Sequence, residues 1–223
     1  MAVIFDFNGT IIFDKAIIDQ SWQQFFYNHT DIRYTPEQLK PYIHGFNPDV
    51  TIRFFLKDKF DQQMMQQLID EKETIYRELC KKNENNIYKL ADGIEQFLDE
   101  LKKREIPCTI ATAAPSTNVD FFFQSLKLDR WFKRDDVVGS DHTFPGKPNP
   151  EIYLRAAGKL NTAIQDCVIF EDAESGIQAA INANARTVVG VSSLLSRQQL
   201  LDLGSDIVID NYKELDLLLK IVL

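Results

Sequence analysis

The sequence predicts a doubly wound α/β fold, a parallel sheet covered by helices on both faces, with a helical domain inserted after the first strand. Three observations lead there. A four-residue apolar run, 2–5, meets a polar turn at Asp6-Phe7-Asn8-Gly9-Thr10, as a fully buried parallel strand should. Residues 15–83 carry apolar side chains at helical spacing. From residue 92 short apolar runs alternate with amphipathic stretches, the pattern of right-handed βαβ units. The expected division is an α/β core of residues 1–14 and 86–223 and a helical cap of residues 15–85.

Each element has a local reason. In the insert, Ile18, Trp22, Phe25 and Phe26 form one helical stripe and Phe54, Phe55, Leu56 and Phe60 another. Met64, Met65, Leu68, Ile69, Ile75, Tyr76 and Leu79 fall along a third, longer helix. Thr35-Pro36-Glu37 and Asn47-Pro48-Asp49 read as helix starts, a capping residue followed by proline at the first helical position. Four helices are expected, and the polar run 81–86 leads back to the core. There the expected order is a helix over 92–104 capped by Asp92, a strand over 107–111 and a helix over 116–127. A short strand at Val137 and Val138 and a helix over 149–160 follow. Next come a strand at 167–170, a helix at 174–182, a strand at 187–191, a strand at 206–209 and a helix at 213–219. The run Phe121, Phe122, Phe123 reads as core packing.

Composition narrows the function. The chain has 223 residues, 44% hydrophobic and 26% charged, ordinary for a globular protein. Lys and Arg total 25 against 33 Asp and Glu, a formal charge of −8. That gives no general attraction to nucleic acid or anionic membrane. Cys80, Cys108 and Cys167 form no C-x-x-C pair, and Cys108 and Cys167, each in an apolar run, read as small buried hydrophobes. No window of about 18 apolar residues occurs, and the chain opens without a leader-like pattern. The expected setting is reducing and cytoplasmic, as a monomer or weak homodimer.

Four polar groups sit where an open parallel sheet binds ligands, beyond the carboxyl ends of its strands. They are Asp6 with Asn8, Thr112 with Ala113, Lys147 in the loop 145–148, and Glu171 with Asp172. Singly each is an ordinary cap or loop residue. Together, three carboxylates in one crevice are unfavourable unless a cation joins them or some take up protons. Hard oxygen ligands select Mg²⁺, which is held by one or two carboxylates and a substrate phosphate. Lys147 is then the natural counter-charge for the phosphate. Backbone N–H groups of the turns at 8–9 and 112–113 could supply donors to its oxygens.

The ordered set resembles the haloacid dehalogenase superfamily. It comprises Asp6-Phe7-Asn8-Gly9-Thr10 after a first strand, a strand end at Thr112, Gly146-Lys147-Pro148-Asn149-Pro150, and Glu171-Asp172-Ala173 followed by Gly176-Ile177 and Ala179-Ala180. The likeness is nearest to the branch of β-phosphoglucomutase and small sugar-phosphate phosphatases, with a helical cap after strand one. It covers essentially the whole chain, and residues 146–180 are its most specific part. The resemblance implies a Mg²⁺-dependent hydrolase of a small phosphorylated metabolite. It implies Asp6 as the nucleophile that forms an aspartyl-phosphate, Thr112 as the hydroxyl that holds the phosphoryl group, and Lys147 as the residue neutralising both. Glu171 and Asp172 would hold the metal, joined by Asp6 and the backbone carbonyl of Asn8.

Asn8 departs from the pattern. Phosphatases of the family usually carry a second Asp there as general acid and base. A neutral amide exchanges no proton, and such catalysis is typically worth about 10²–10⁴-fold. Four readings stay open. Another group, with Asp14, His44 and Glu174 as candidates by location, replaces the acid. The substrate is an activated phosphate that needs none. The protein is a catalytically weak phosphate-binding or regulatory member. Or it is a 2-haloacid dehalogenase, which the acidic pair at 171–172 argues against. β-Phosphoglucomutase itself is disfavoured by Asn8, and by Ile18 where its cap places a histidine. The cap is expected to set substrate choice, with His44 and Arg53 as candidate contacts. His29 and His142 receive no role.

Overall fold

The computed structural model describes residues 1–43, 48–57, 59–84, 86–140 and 143–223. Two compact units share the chain: Met1–Phe13 with Lys89–Leu223, and Asp14–Tyr88.

The first unit is a six-stranded parallel sheet, as the apolar runs predict. Its strands are β1 (Ala2–Phe5), β2 (Cys108–Pro115), β3 (Val138–Ser140), β4 (Cys167–Glu171), β5 (Thr187–Val191) and β6 (Ile207–Ile209), in spatial order β3-β2-β1-β4-β5-β6. β1, at the centre, is buried at every residue. Alternation along the strands sends successive side chains to opposite faces. Ala2, Ile4, Cys167 and Ile169 join one core cluster with Ile152, Tyr153, Ala156 and Ile177. These last four come from α7 (Glu151–Lys159) and α8 (Glu174–Asn182). Phe5 and Phe170 stack with centroids 5.0 Å apart, and Phe97, Phe132 and Tyr212 pack around Phe5. Phe97 belongs to α5 (Ile94–Lys103). The remaining core helices are α6 (Ser116–Leu126), α9 (Arg197–Asp202) and α10 (Leu215–Ile221).

The second unit contains α1 (Lys15–Thr30), α2 (Pro36–Ile43), α3 (Pro48–Leu56) and α4 (Gln62–Lys82). Trp22, Phe25 and Phe26 of α1 form its core with Leu39, Ile52, Met65 and Ile69. Asp61 caps α4 through Met64 N at 2.8 Å. Thr35 and Gln38 exchange the reciprocal bonds of a capping box at the start of α2.

Several details differ from the sequence pattern. Asp92 does not cap α5: Gly93 does, at φ +85, and the Asp92 carboxylate pairs with Lys213 at 2.8 Å. A side chain on Gly93 would strike the backbone of Tyr212, 2.5 Å away. β2 runs on to Pro115, because residues 112–115 stay extended and Pro115 comes level with Ser140 of β3. Helix α9 is additional. Its Ser196 and Gln199 form a capping box, a signature present in the sequence. Of the aromatic run, Phe122 is buried and stacks on Phe7 at 4.1 Å. No described helix is long and apolar enough to cross a membrane.

Candidate active site

Parallel register assembles the site. Phe5 of β1 is level with Ile110 of β2 and Phe170 of β4. The next residues of the three strands, Asp6, Ala111 and Glu171, therefore emerge side by side at the carboxyl edge. The Asp6 N–H donates to Phe170 O at 2.9 Å, holding the first residue beyond β1 against β4. Asp6 and Glu171 share strand parity with Ile4 and Ile169, so they project on the face covered by α7. Asp172 takes the opposite parity.

Lys147 lies in the loop before α7, and its ammonium joins the strand ends. It donates to Asp6 Oδ1 at 2.6 Å, to Glu171 Oε1 at 2.5 Å and to Ala111 O at 3.4 Å. Its side chain is only 8% exposed. Burial opposes its charge, but Asp6 and Glu171 outweigh burial and hold the ammonium well above the usual lysine range. For Asp6, burial dominates: together with Glu171 it outweighs the pull of Lys147 and pushes the carboxyl up to about 7.

Glu171 is saturated as an acceptor. Oε1 takes Lys147 and the Tyr153 hydroxyl, the latter at 2.8 Å, and Oε2 takes the backbone N–H groups of Asp172 and Ala173. Tyr153 is fully buried, and its ring centroid lies 5.1 Å from Lys147 Nζ. Burial first, and Glu171 second, keep its phenol protonated well above the ordinary tyrosine range. Gly176 of α8 makes room for this carboxylate, since a Cβ there would stand 1.7 Å from Oε1.

The turn after β1 needs a glycine. Gly9 has φ +80, and an added Cβ would lie 1.9 Å from Asp172 Oδ2. The Ser193 hydroxyl approaches the Gly9 carbonyl at 2.5 Å and Asp172 Oδ2 at 3.3 Å, so it ties the β1 turn to the end of β4. Thr112 is buried in β2, and its hydroxyl accepts from Ala114 N at 3.1 Å. Ala113 beside it is exposed.

The structure thus brings Asp6, Lys147, Glu171 and Asp172 together, with Thr112 beyond Ala111 on the neighbouring strand. Oxygens of Asp6, Glu171 and Asp172 lie within 4.8 Å of one another. Three carboxylates face one ammonium, so a divalent ion would cancel the excess charge, and hard oxygen donors suit Mg²⁺. Because Glu171 already accepts four hydrogen bonds, a cation would draw first on Asp6 and Asp172. Arg53 lies on α3 of the second unit and donates to Phe60 O at 3.3 Å. Asp14, also in the second unit, is fully buried and accepts from the Tyr76 hydroxyl at 2.5 Å. Glu174 is exposed on the first turn of α8, and His44 lies outside the described residues.

Sequence reasoning missed Tyr153 and Ser193, and it took Gly176 as part of the motif without its steric role beside Glu171. Tyr153 sits in a run whose pattern signals a helix and nothing more. Ser193 meets Gly9 across 184 residues of chain, with no motif to announce it.

The family model of haloacid dehalogenase-like hydrolases matches residues 3–190. A phosphorylated carbohydrates phosphatase of Thermotoga maritima is 27% identical over 217 residues, covering 92% of this chain and 91% of that protein. A crystal structure of a HAD hydrolase, family IA, variant 3, from Entamoeba histolytica superposes with a TM-score of 0.89 at 34% identity, over 97% of this chain and 98% of that one. The β-phosphoglucomutase of Clostridium difficile gives a TM-score of 0.76 at 25% identity, over 96% and 92%. With the strand-end residues Asp6, Thr112, Lys147, Glu171 and Asp172 all inside the matched span, the chain belongs to the haloacid dehalogenase-like hydrolases, on the branch whose relatives include phosphatases of small phosphorylated molecules.

Proposed function

We propose that the protein is a Mg²⁺-dependent phosphatase that removes the phosphoryl group of a small phosphorylated metabolite through a covalent intermediate on Asp6. The observation that carries this reading is the Lys147 ammonium held between Asp6 and Glu171 at the carboxyl ends of β1 and β4. A carboxylate in contact with a buried cation can be approached by a phosphate dianion, which a bare acidic cluster would repel.

Each residue then has a task. Asp6 attacks phosphorus. Lys147 lowers the repulsion between nucleophile and phosphate. Thr112 and the N–H of Ala113 donate to phosphoryl oxygens. Glu171 fixes Lys147. Asp6, Asp172 and the Asn8 carbonyl would hold Mg²⁺, with Glu171 beside them, and the ion when bound supplies charge neutralisation at the phosphoryl oxygens. Substrate choice is assigned to the helical unit acting as a cap, to which Arg53 and His44 would contribute.

The test is phosphate release from a panel of phosphorylated metabolites with Mg²⁺ or EDTA. Release should need Mg²⁺ and vanish in Asp6→Asn. Release that persists in that variant, or in EDTA, overturns the proposal. Asn8 favours a second reading, a binding protein of the same family with little chemistry. It predicts stabilisation by Mg²⁺ with phosphate and no release from any donor.

A further inference from the structure

We propose that the site acts on acyl phosphates, mixed anhydrides of phosphoric and carboxylic acids, in preference to the phosphate monoesters of sugars and polyols. The inference rests on the phosphatase reading above and names its substrate class.

The argument begins with the bond that breaks. When Asp6 attacks phosphorus, a P–O bond forms to its carboxylate and the P–O bond to the leaving group breaks, with the electron pair going to the leaving oxygen. A sugar alcohol leaves as an alkoxide, which is too basic to depart near neutral pH without receiving a proton. A carboxylate, whose conjugate acid has a pKa of about 4, departs as the free anion. The leaving group therefore decides whether the site needs an acid.

Among the described residues of the core, Lys147, Tyr153 and Glu171 are already committed to one another or to Asp6, and Asp172 is assigned to the metal. The proton-bearing face of Lys147 is divided between two carboxylates at 2.6 and 2.5 Å. The Tyr153 proton is given to Glu171, in a position closed to solvent. Asp6 is the nucleophile, and Glu171 takes hydrogen bonds on both oxygens. Asn8, two residues beyond the nucleophile, carries an amide. It can donate a hydrogen bond to a departing anion but cannot surrender a proton.

The second half-reaction has the same property. Water attacks the phosphorus of the aspartyl-phosphate, the P–O bond to Asp6 breaks, and its electron pair returns to the carboxylate. The water proton passes to solvent or to the released phosphate. The aspartyl-phosphate is itself an acyl phosphate, so its leaving group also needs no acid. With an acyl phosphate donor, phosphorylation moves the group from one carboxylate to another, a near-balanced exchange. Water activation is then the slow step, and phosphoenzyme accumulates.

The experiment compares acetyl phosphate, aryl phosphates whose phenols span a range of pKa, and glycerol and glucose phosphates. It uses the full chain with Mg²⁺, together with Asn8→Asp, Glu174→Gln and Asp6→Asn. Acetyl phosphate should exceed the alkyl phosphates in kcat/KM by about 10²-fold or more, the scale of a missing general acid. The aryl series should fall steeply as phenol pKa rises. Acetyl phosphate should label the protein with a hydroxylamine-labile phosphate absent in Asp6→Asn, and labelled acetate should exchange into acetyl phosphate. Asn8→Asp should raise alkyl phosphate hydrolysis at least ~10²-fold more than acetyl phosphate hydrolysis. Alkyl phosphates turned over within about tenfold of acetyl phosphate would overturn the inference while leaving the phosphatase reading intact. Alkyl activity lost in Glu174→Gln would do the same and identify the acid. No Asp6-dependent release or labelling from any donor, in the native chain or in Asn8→Asp, would overturn both.

Discussion

Two glycines in helices should respond to alanine with opposite signs. In the middle of a helix, Gly→Ala ordinarily stabilises by about 0.5–1 kcal/mol, because alanine loses less backbone freedom on folding. Gly158, next to last in α7, keeps part of that gain, being exposed, with no atom within 4 Å of the position an added Cβ would take. Gly176 of α8 does not. Its Cβ would lie 1.7 Å from Glu171 Oε1 and 2.0 Å from Cδ. Glu171 cannot step aside cheaply, because Lys147 and Tyr153 hold one oxygen and two backbone N–H groups hold the other. Moving it disrupts a buried ion pair, a loss of about 3–5 kcal/mol, against a helix gain of at most about 1 kcal/mol. Gly176→Ala should therefore destabilise by about 2–4 kcal/mol, a Tm drop of about 5–15 °C for a chain of this size. Gly158→Ala should raise Tm by about 1–4 °C. Thermal unfolding followed by circular dichroism reads both. A Gly176→Ala protein as stable as the native chain would show that Glu171 is not locked in place and would refute the reasoning.

Tyr153→Phe removes one hydrogen bond from Glu171 and leaves the ring beside Lys147. It should cost about 1–2 kcal/mol of stability and lower kcat/KM about tenfold, which unchanged kinetics in a phosphate-release assay would contradict. Burial pushes the thiols of Cys80 and Cys108 up to about 12 and that of Cys167 up to about 11, against an ordinary 9.0. A raised thiol pKa means less thiolate, so at about pH 8 the native protein should react with a disulfide reagent about 10²–10³-fold more slowly than unfolded chain. Its rate should climb about tenfold per pH unit toward about pH 11. A thiol that reacts at the unfolded rate near neutral pH would refute this.

Much of the molecule can be read from residue order. A strand buried on both faces is dominated by apolar residues, so 2–5, 167–170 and 187–191 stand out, and polar side chains are pushed to the strand ends where Asp6, Glu171 and Asp172 sit. Proline at a first helical turn marks α2 and α3 for equally local reasons. A boundary is ambiguous in the sequence where two local signals compete. Asp92 looks like a cap, yet Gly93 holds that place because the backbone of Tyr212 passes too close for a side chain.

Residue order alone specifies the fold class, the helical insert and the strand-end residues, because burial and capping act over a few neighbouring positions. How those residues engage one another is set in three dimensions. Lys147 reaches Asp6 across 141 residues and Glu171 across 24, Tyr153 holds Glu171, and Ser193 holds the turn at Gly9. Asp14 is likewise given to Tyr76, a residue 62 positions away. Such partnerships depend on strand register and on which face of the sheet a helix covers, and neither is written in the spacing of any one segment.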